Sequence, residues 1–213
     1  MAGGMAFYLG DDMIKNVIFD FGQVMVRFDP HAIAAHTLQD PDDVALLAPI
    51  LFDRLYWDRL DAGTIRDGEV LDAVCARIPE RLHQAAREIY YEWIYRLPEI
   101  PGMRELVQDL KARGIRVALL SNISHDFVSH AYDIPILALF EYCVFSADLG
   151  ITKPDPRIFA KACEGGAFDP TETLFVDDSP VNVQGARDFG LQAYLFDKDA
   201  QALREYLESA LEN

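Results

Sequence analysis

Carboxylates end two short apolar runs of this 213-residue chain: Asp20 follows Val17-Ile18-Phe19, and the pair Asp177-Asp178 follows Leu174-Phe175-Val176. Between them in sequence, Ser121-Asn122 ends the run Val117-Ala118-Leu119-Leu120, and Lys153 stands in Thr152-Lys153-Pro154. Brought together, two or three carboxylates cannot all stay ionised without a compensating cation. Oxygen-only donors select a hard ion, and Mg²⁺ accepts one or two carboxylates plus waters and phosphate oxygens. A carboxylate such as Asp20 can attack phosphorus and split a hydrolysis into two easier steps. Lys153 would neutralise charge on the phosphoryl group. Ser121 and Asn122 would donate hydrogen bonds to its oxygens, helped by N–H groups of the turn at Phe21 and Gly22. Catalysis is then mostly positioning and charge stabilisation.

These groups meet only if the runs that carry them lie side by side. Five apolar runs read as buried parallel strands: residues 17–19, 117–120, 142–145, 174–176 and 193–196. Runs this short are ambiguous by periodicity, and their flanks decide, because four end on a small polar residue and lead towards a helix. In an open parallel sheet, ligands bind outside the carboxyl ends of the strands, where all these polar groups fall. Met103, Leu106, Val107 and Leu110 form one helical stripe within 101–113, stopped by Gly114. Asp155-Pro156 and Ser179-Pro180 open two further helices, and a last one covers about 199–211.

Roughly a hundred residues separate the first two strands, far more than one crossover helix needs. From about Pro30 to Leu97 the pattern is helix after helix, with Leu82, Ala86, Ile89, Trp93 and Leu97 on one face. The expected fold is therefore a Rossmann-like parallel five-stranded α/β sheet between helices, with an inserted α-helical cap. Its core is 14–28 and 98–213, and the cap is 29–97. Residues 1–13 read as a tag or leader outside the core. The first strand is expected in the centre, flanked by the second and the fourth.

Composition narrows the partners. A formal charge of −16 repels nucleic-acid backbones and anionic membranes, so neither is expected as a partner, and any phosphate site must be locally positive. No apolar run approaches the roughly 20 residues needed to span a bilayer. The odd number of cysteines, Cys75, Cys143 and Cys163, without C-x-x-C spacing, reads as buried free thiols of a reducing cytoplasm.

Val17 to Gly22, Leu120-Ser121-Asn122, Lys153-Pro154 and Phe175 to Ser179 together resemble, in order and spacing, the four motifs of haloacid dehalogenase-like hydrolases. The likeness covers residues 14 to about 197 and is nearest to sugar-phosphate phosphatases of the glucose-1-phosphate type. It implies Mg²⁺-dependent hydrolysis of a small phosphate monoester through an aspartyl-phosphate on Asp20. It also implies that Asp20, the Gly22 carbonyl and Asp178 hold Mg²⁺, with Asp177 close by or bridged through water. Lys153, Ser121 and Asn122 would grip the phosphate. The loop Asp61-Ala62-Gly63-Thr64-Ile65 is of the type that reaches down to substrate in related capped enzymes. Near it, Trp57 and Arg59 either stack on and hydrogen-bond a sugar or serve as cap core and surface ion pair.

Most phosphatases of the family carry a second Asp at the position of Gly22, which protonates the leaving oxygen and then activates water, a role worth about 10²–10⁴-fold. Here another group or a water substitutes, or the leaving group is a good one, or turnover is slow. Two rivals follow: a metal-independent 2-haloacid dehalogenase, against which the Asp177-Asp178 pair argues, and a catalytically weak phosphate-binding or regulatory protein. Asp20-Phe21-Gly22 also spells the kinase magnesium motif, without the other kinase elements. Ser124-His125-Asp126 has the letters of a triad, but sequence neighbours point different ways. His31, His36, His83 and His130 show no metal-ligand spacing.

Overall fold

A computed structural model describes residues 13–211; the expected leader, apart from Met13, lies outside the described residues. The sheet consists of β1 (Asn16–Phe19), β2 (Arg116–Ser121), β3 (Cys143–Phe145), β4 (Thr173–Asp177) and β5 (Gln192–Leu195), all parallel, in the order β3-β2-β1-β4-β5. The first strand is central between the second and fourth, as the sequence predicts.

Successive strand residues point to opposite faces, and both faces are covered, which is why the runs read as continuously apolar. Val17, Phe19, Val117, Leu119, Leu174 and Val176 pack with α6 (Met103–Ala112) and α11 (Ala200–Leu211). Their alternates Ile18, Ala118, Leu120 and Phe175 pack with α9 (Pro156–Gly166) and α10 (Pro180–Phe189).

Element ends shift by a residue or two from the sequence expectation. Helix α6 starts at Met103, not Pro101, because Gly102 adopts φ +86° ahead of it. Phe196 leaves β5, yet its N–H still reaches the Asp177 carbonyl at 2.9 Å. Ser179 stands at the N-cap of α10 without a side-chain bond; the Asp177 carboxylate takes the Ser179 N–H instead.

Between β1 and β2 lie α1 (Pro30–Ala35), α2 (Pro41–Leu51), α3 (Arg54–Asp61), α4 (Asp67–Cys75) and α5 (His83–Glu92), with 3₁₀ turns at Glu80–Leu82 and Trp93–Arg96. Asp29, Asp40 and Asp53 accept N–H groups at the starts of α1, α2 and α3, and proline follows the first two. Their apolar sides, including Ile33, Leu47, Val70 and Trp93, join the α6 side of the core. Of the three free cysteines only Cys163 is buried; Cys75 and Cys143 are half-buried, a correction to the expectation of buried thiols. No helix among the described residues is long and apolar enough to cross a membrane.

Candidate active site at the strand ends

Three strand ends and one loop meet at the rim of the sheet. Asp20 directly follows β1, and its N–H extends the ladder to the Val176 carbonyl at 2.9 Å. Beyond β3 and α8 (Ser146–Leu149), the chain turns through Thr152-Lys153-Pro154. Asn122, just past β2, secures that turn: its carbonyl takes the Lys153 N–H at 2.8 Å, and its amide donates to the Lys153 carbonyl at 3.2 Å. Helix α10 holds the other side through Gly185, where a Cβ would come within 2.6 Å of the Pro154 Cβ.

The Lys153 side chain is 1 % exposed and spends all three ammonium protons. It donates to Asp20 at 2.7 Å, Asp177 at 2.8 Å and the Leu120 carbonyl at 3.1 Å. Asp177 is fully buried and saturated, also accepting from the Ser179 N–H at 2.8 Å and the Asn182 amide at 3.1 Å. Asp178 is half-buried and opens into the cavity.

The electrostatics follow from burial. Desolvation pushes the Asp20 carboxyl up to about 7 against the opposing pull of Lys153, and Asp177 adds to the rise. Burial, then Asp177, also raises Asp178. Burial works to lower Lys153, but Asp20 and Asp177 overcome it and hold the ammonium charged. Carboxylate oxygens of Asp20, Asp177 and Asp178 lie within 4.8 Å of one another around this single ammonium. That excess of negative oxygen fits a hard divalent cation. With Asp177 consumed by its own hydrogen bonds, Asp20 and Asp178 are the open carboxylates. Gly22 adds a backbone oxygen: the bridge between Gly22 and Val26 uses the Phe21 carbonyl and the Gln23 N–H, leaving Gly22's own groups outside it.

A cavity of about 700 Å³ opens above this rim, walled opposite by the inserted helices. Arg54, Trp57, Asp58 and Asp61 all line it. At about 3.6 residues per turn, these positions share one face of α3 and Arg59 lies on another. Arg59 is exposed and outside the cavity lining, whereas Arg54, which pairs with Asp58 at 2.8 Å, borders the cavity. Trp57 lines the cavity as part of an aromatic wall with Phe28, Phe52 and Trp93, and its indole N–H is spent on the Leu51 carbonyl at 2.9 Å.

The structure thus brings together Asp20, Gly22, Ser121, Asn122, Lys153, Asp178 and Trp57 around one cavity, with Asp177 buried behind them. Asn122 borders the cavity and also engages its amide with the lysine turn. Sequence reasoning missed Arg54 and gave Asp61 no chemical part. The signal available was the spacing of Arg54, Asp58 and Asp61 along one helix face. Ser124 caps α7 (His125–His130), and His125 pairs with Asp148 at 3.3 Å, so no triad forms there.

Among curated proteins, the chain is 29 % identical to the D-ribitol-5-phosphate phosphatase of Bacteroides thetaiotaomicron over 194 residues, covering 85 % of this chain and 91 % of that one. It is 35 % identical over 95 residues to (S)-2-haloacid dehalogenase 4A of Burkholderia cepacia, 44 % of this chain and 41 % of that one. The match covers only 10 % of acyl-CoA dehydrogenase family member 10 of Mus musculus, so the chain spans less than half the length of some curated relatives. A solved structure of an enzyme from B. thetaiotaomicron, in complex with magnesium and inorganic phosphate, superposes with a TM-score of 0.67 at 23 % identity, covering 89 % of this chain and 98 % of that one. The family model for haloacid dehalogenase-like hydrolases matches residues 14–190, and the chain belongs to that family.

Proposed function

We propose that this hydrolase is a Mg²⁺-dependent phosphatase for a small phosphate monoester of the sugar- or polyol-phosphate type. The observation that carries the reading is the division of labour among the acidic residues. Asp177 is buried and saturated behind Lys153, whereas Asp20 and Asp178 open into the cavity. Mg²⁺ held by Asp20, the Gly22 carbonyl and Asp178 would supply positive charge against the phosphoryl oxygens. Lys153 aims the Asp20 carboxylate by hydrogen bond and adds its own charge. Asp20 attacks phosphorus, the ester oxygen departs, and water then attacks the aspartyl-phosphate to free inorganic phosphate. Ser121 hydrogen-bonds a phosphoryl oxygen, while Asn122 acts chiefly by fixing the lysine turn. The insertion, residues 29–97, serves as a cap that excludes bulk water and protein-sized substrates. Arg54 and Asp58 offer opposite charges to substrate hydroxyls. The ribitol-5-phosphate phosphatase likeness, spanning most of both chains, supports this substrate class.

The dehalogenase relative and the missing side chain at Gly22 favour a second reading, in which Asp20 attacks carbon without a metal. Asp178 counts against it, because a carboxylate without a partner ion beside the nucleophile opposes the charge of an incoming carboxylate substrate.

A panel of phosphate esters and 2-haloacids, each with Mg²⁺ and with EDTA, separates the readings. Phosphate release that needs Mg²⁺ and disappears in Asp20→Asn is expected. Halide release in EDTA would establish the dehalogenase. Phosphate binding without turnover would leave a binding protein.

A further inference from the structure

We propose that Asp61 is the general acid and base of the reaction, supplying from the inserted helix α3 the proton handling that Gly22 has no side chain to perform. The inference rests on the phosphatase reading.

At Gly22, two residues beyond the nucleophile, there is room for a side chain. A Cβ built on Gly22 meets no atom within 4 Å, and Gly22 borders the same cavity as Asp20. Across that cavity stands Asp61, at the last position of α3. Its backbone is tied to the sheet domain that carries Asp20. The fully buried Ser146 hydroxyl donates to the Asp61 carbonyl at 2.6 Å and accepts the Ile123 N–H at 2.9 Å. Two residues on, Gly63 turns at φ +65° against the Ala147 carbonyl, which a Cβ would approach to 3.0 Å. A left-handed turn in that little space suits glycine. The Asp61 backbone is thereby tied to the sheet domain at the border of the same cavity, although it belongs to the insertion.

The other acidic groups have assignments. Asp177 is saturated, Asp20 attacks and Asp178 faces the cation. Desolvation pushes the Asp61 carboxyl up to about 7, with Arg54 opposing the rise, Asp58 adding to it, Lys153 opposing and Asp20 adding. From the core side, the titratable groups on α7 and α8 are His125, Asp126, His130 and Asp148, and His125 pairs with Asp148 at 58 % and 50 % side-chain exposure. A carboxyl poised near neutrality can give a proton in one step and take one in the next.

The chemistry balances without a further reactant. As Asp20 attacks phosphorus, the bond to the ester oxygen breaks and that oxygen takes the proton of Asp61, leaving alcohol, aspartyl-phosphate and the Asp61 carboxylate. In the second step that carboxylate takes a proton from water as the water oxygen bonds to phosphorus. Inorganic phosphate and the Asp20 carboxylate are released, and Asp61 is protonated again.

The test compares an alkyl phosphate with an aryl phosphate, both with Mg²⁺, in wild type and in Asp61→Asn. Aryl leaving groups depart without a proton, so the two esters separate the acid from every other role. In Asp61→Asn the alkyl rate is expected to fall about 10²–10⁴-fold and the aryl rate far less. Because Asp20 must be ionised for both esters, the wild-type alkyl-to-aryl rate ratio should decline as pH rises through about 7, where the acid loses its proton, and the variant's ratio should lack that limb. Adding Gly22→Asp to the variant is expected to return part of the alkyl rate. The alkyl-to-aryl ratio within one preparation does not depend on the fraction folded. Equal losses on both esters, or an unchanged pH limb in Asp61→Asn, would overturn the proposal while leaving the phosphatase reading standing. A wild type inert toward both esters would remove both.

Discussion

The two walls of the cavity are built on different principles. The sheet side is over-determined: Asp20 and Asp177 extend backbone ladders, Lys153 is held by three acceptors, and Asn122 closes both ends of the lysine peptide. The inserted side presents its polar groups from one face of a two-turn helix, and its polar tie to the core at that helix is the Ser146 hydroxyl. On the proposed function, chemistry that needs fixed charge would gather on the first wall, and contacts that must suit a particular substrate would fall on the second. The charges of Lys153, Asp20 and Asp177 cannot be altered without disturbing one another, whereas Arg54 and Asp58 of α3 are exposed and pair only across one turn.

The sharpest way to break this contrast is Lys153→Met. It keeps the volume but leaves Asp20 and Asp177 buried without their counter-charge. Removing one partner of a buried ion pair costs about 3–5 kcal/mol, because the remaining charge is left uncompensated. Urea unfolding of the metal-free protein should show a loss of that size, and phosphatase activity should vanish. A variant as stable as wild type would mean that the sheet-side network is far looser than its geometry implies.

Asp178→Asn probes the same wall where it is open. Unlike Asp177, Asp178 makes no salt bridge among the described residues, and burial outweighs the pull of Lys153 and Lys198 on its charge. Stability without metal should therefore hold or rise slightly. The Mg²⁺ concentration for half-maximal activity should increase on the order of 100-fold, at least the loss expected when even an outer partner of a metal ligand is removed. A metal titration of activity checks both the size and its independence of folding. If the Mg²⁺ requirement were unchanged, the open carboxylate would have another use.

The two walls also differ in how far the sequence reveals them. Asp20, Ser121 and the Asp177-Asp178 pair stand at the ends of short apolar runs, and strand ends of a parallel sheet lie at one edge whatever the loops do. They were legible for that reason, as was the central place of β1, while Lys153 was legible from its loop beyond the third strand. Position along the chain does not say which hydrogen bonds a side chain finally makes, and nothing local marks the two bonds by which Asn122 holds the lysine turn. On the inserted side, the helices were legible from their Asp-Pro caps and apolar stripes. Which face of α3 meets the cavity depends on how the insertion docks, a long-range matter without a local marker. Nothing local therefore marks Arg54, rather than Arg59, as the arginine of α3 that borders the cavity. Asp61's raised carboxyl arises from burial by residues distant in sequence, so no motif announces it.

The smallest expected effect tests the joint between the walls. Ser146→Ala removes one hydroxyl that is fully buried and touches no substrate. It leaves the Ile123 N–H and the Asp61 carbonyl without that partner, and stranding buried polar groups costs roughly 1–3 kcal/mol. If the hydroxyl serves the fold alone, alkyl and aryl phosphate turnover should fall together, in proportion to the protein lost to unfolding. If it also holds Asp61 over the rim, the alkyl rate should fall several-fold further than the aryl rate at a temperature where the variant is fully folded. The loss should be smaller than in Asp61→Asn, because Gly63 still packs against the Ala147 carbonyl and keeps the turn near its place. Ser146→Thr, which retains the hydroxyl if the extra methyl is accommodated, should recover the ratio even where it does not recover stability. A ratio unchanged in Ser146→Ala would show that α3 holds its position without the hydroxyl, and that packing rather than this hydrogen bond joins the two walls.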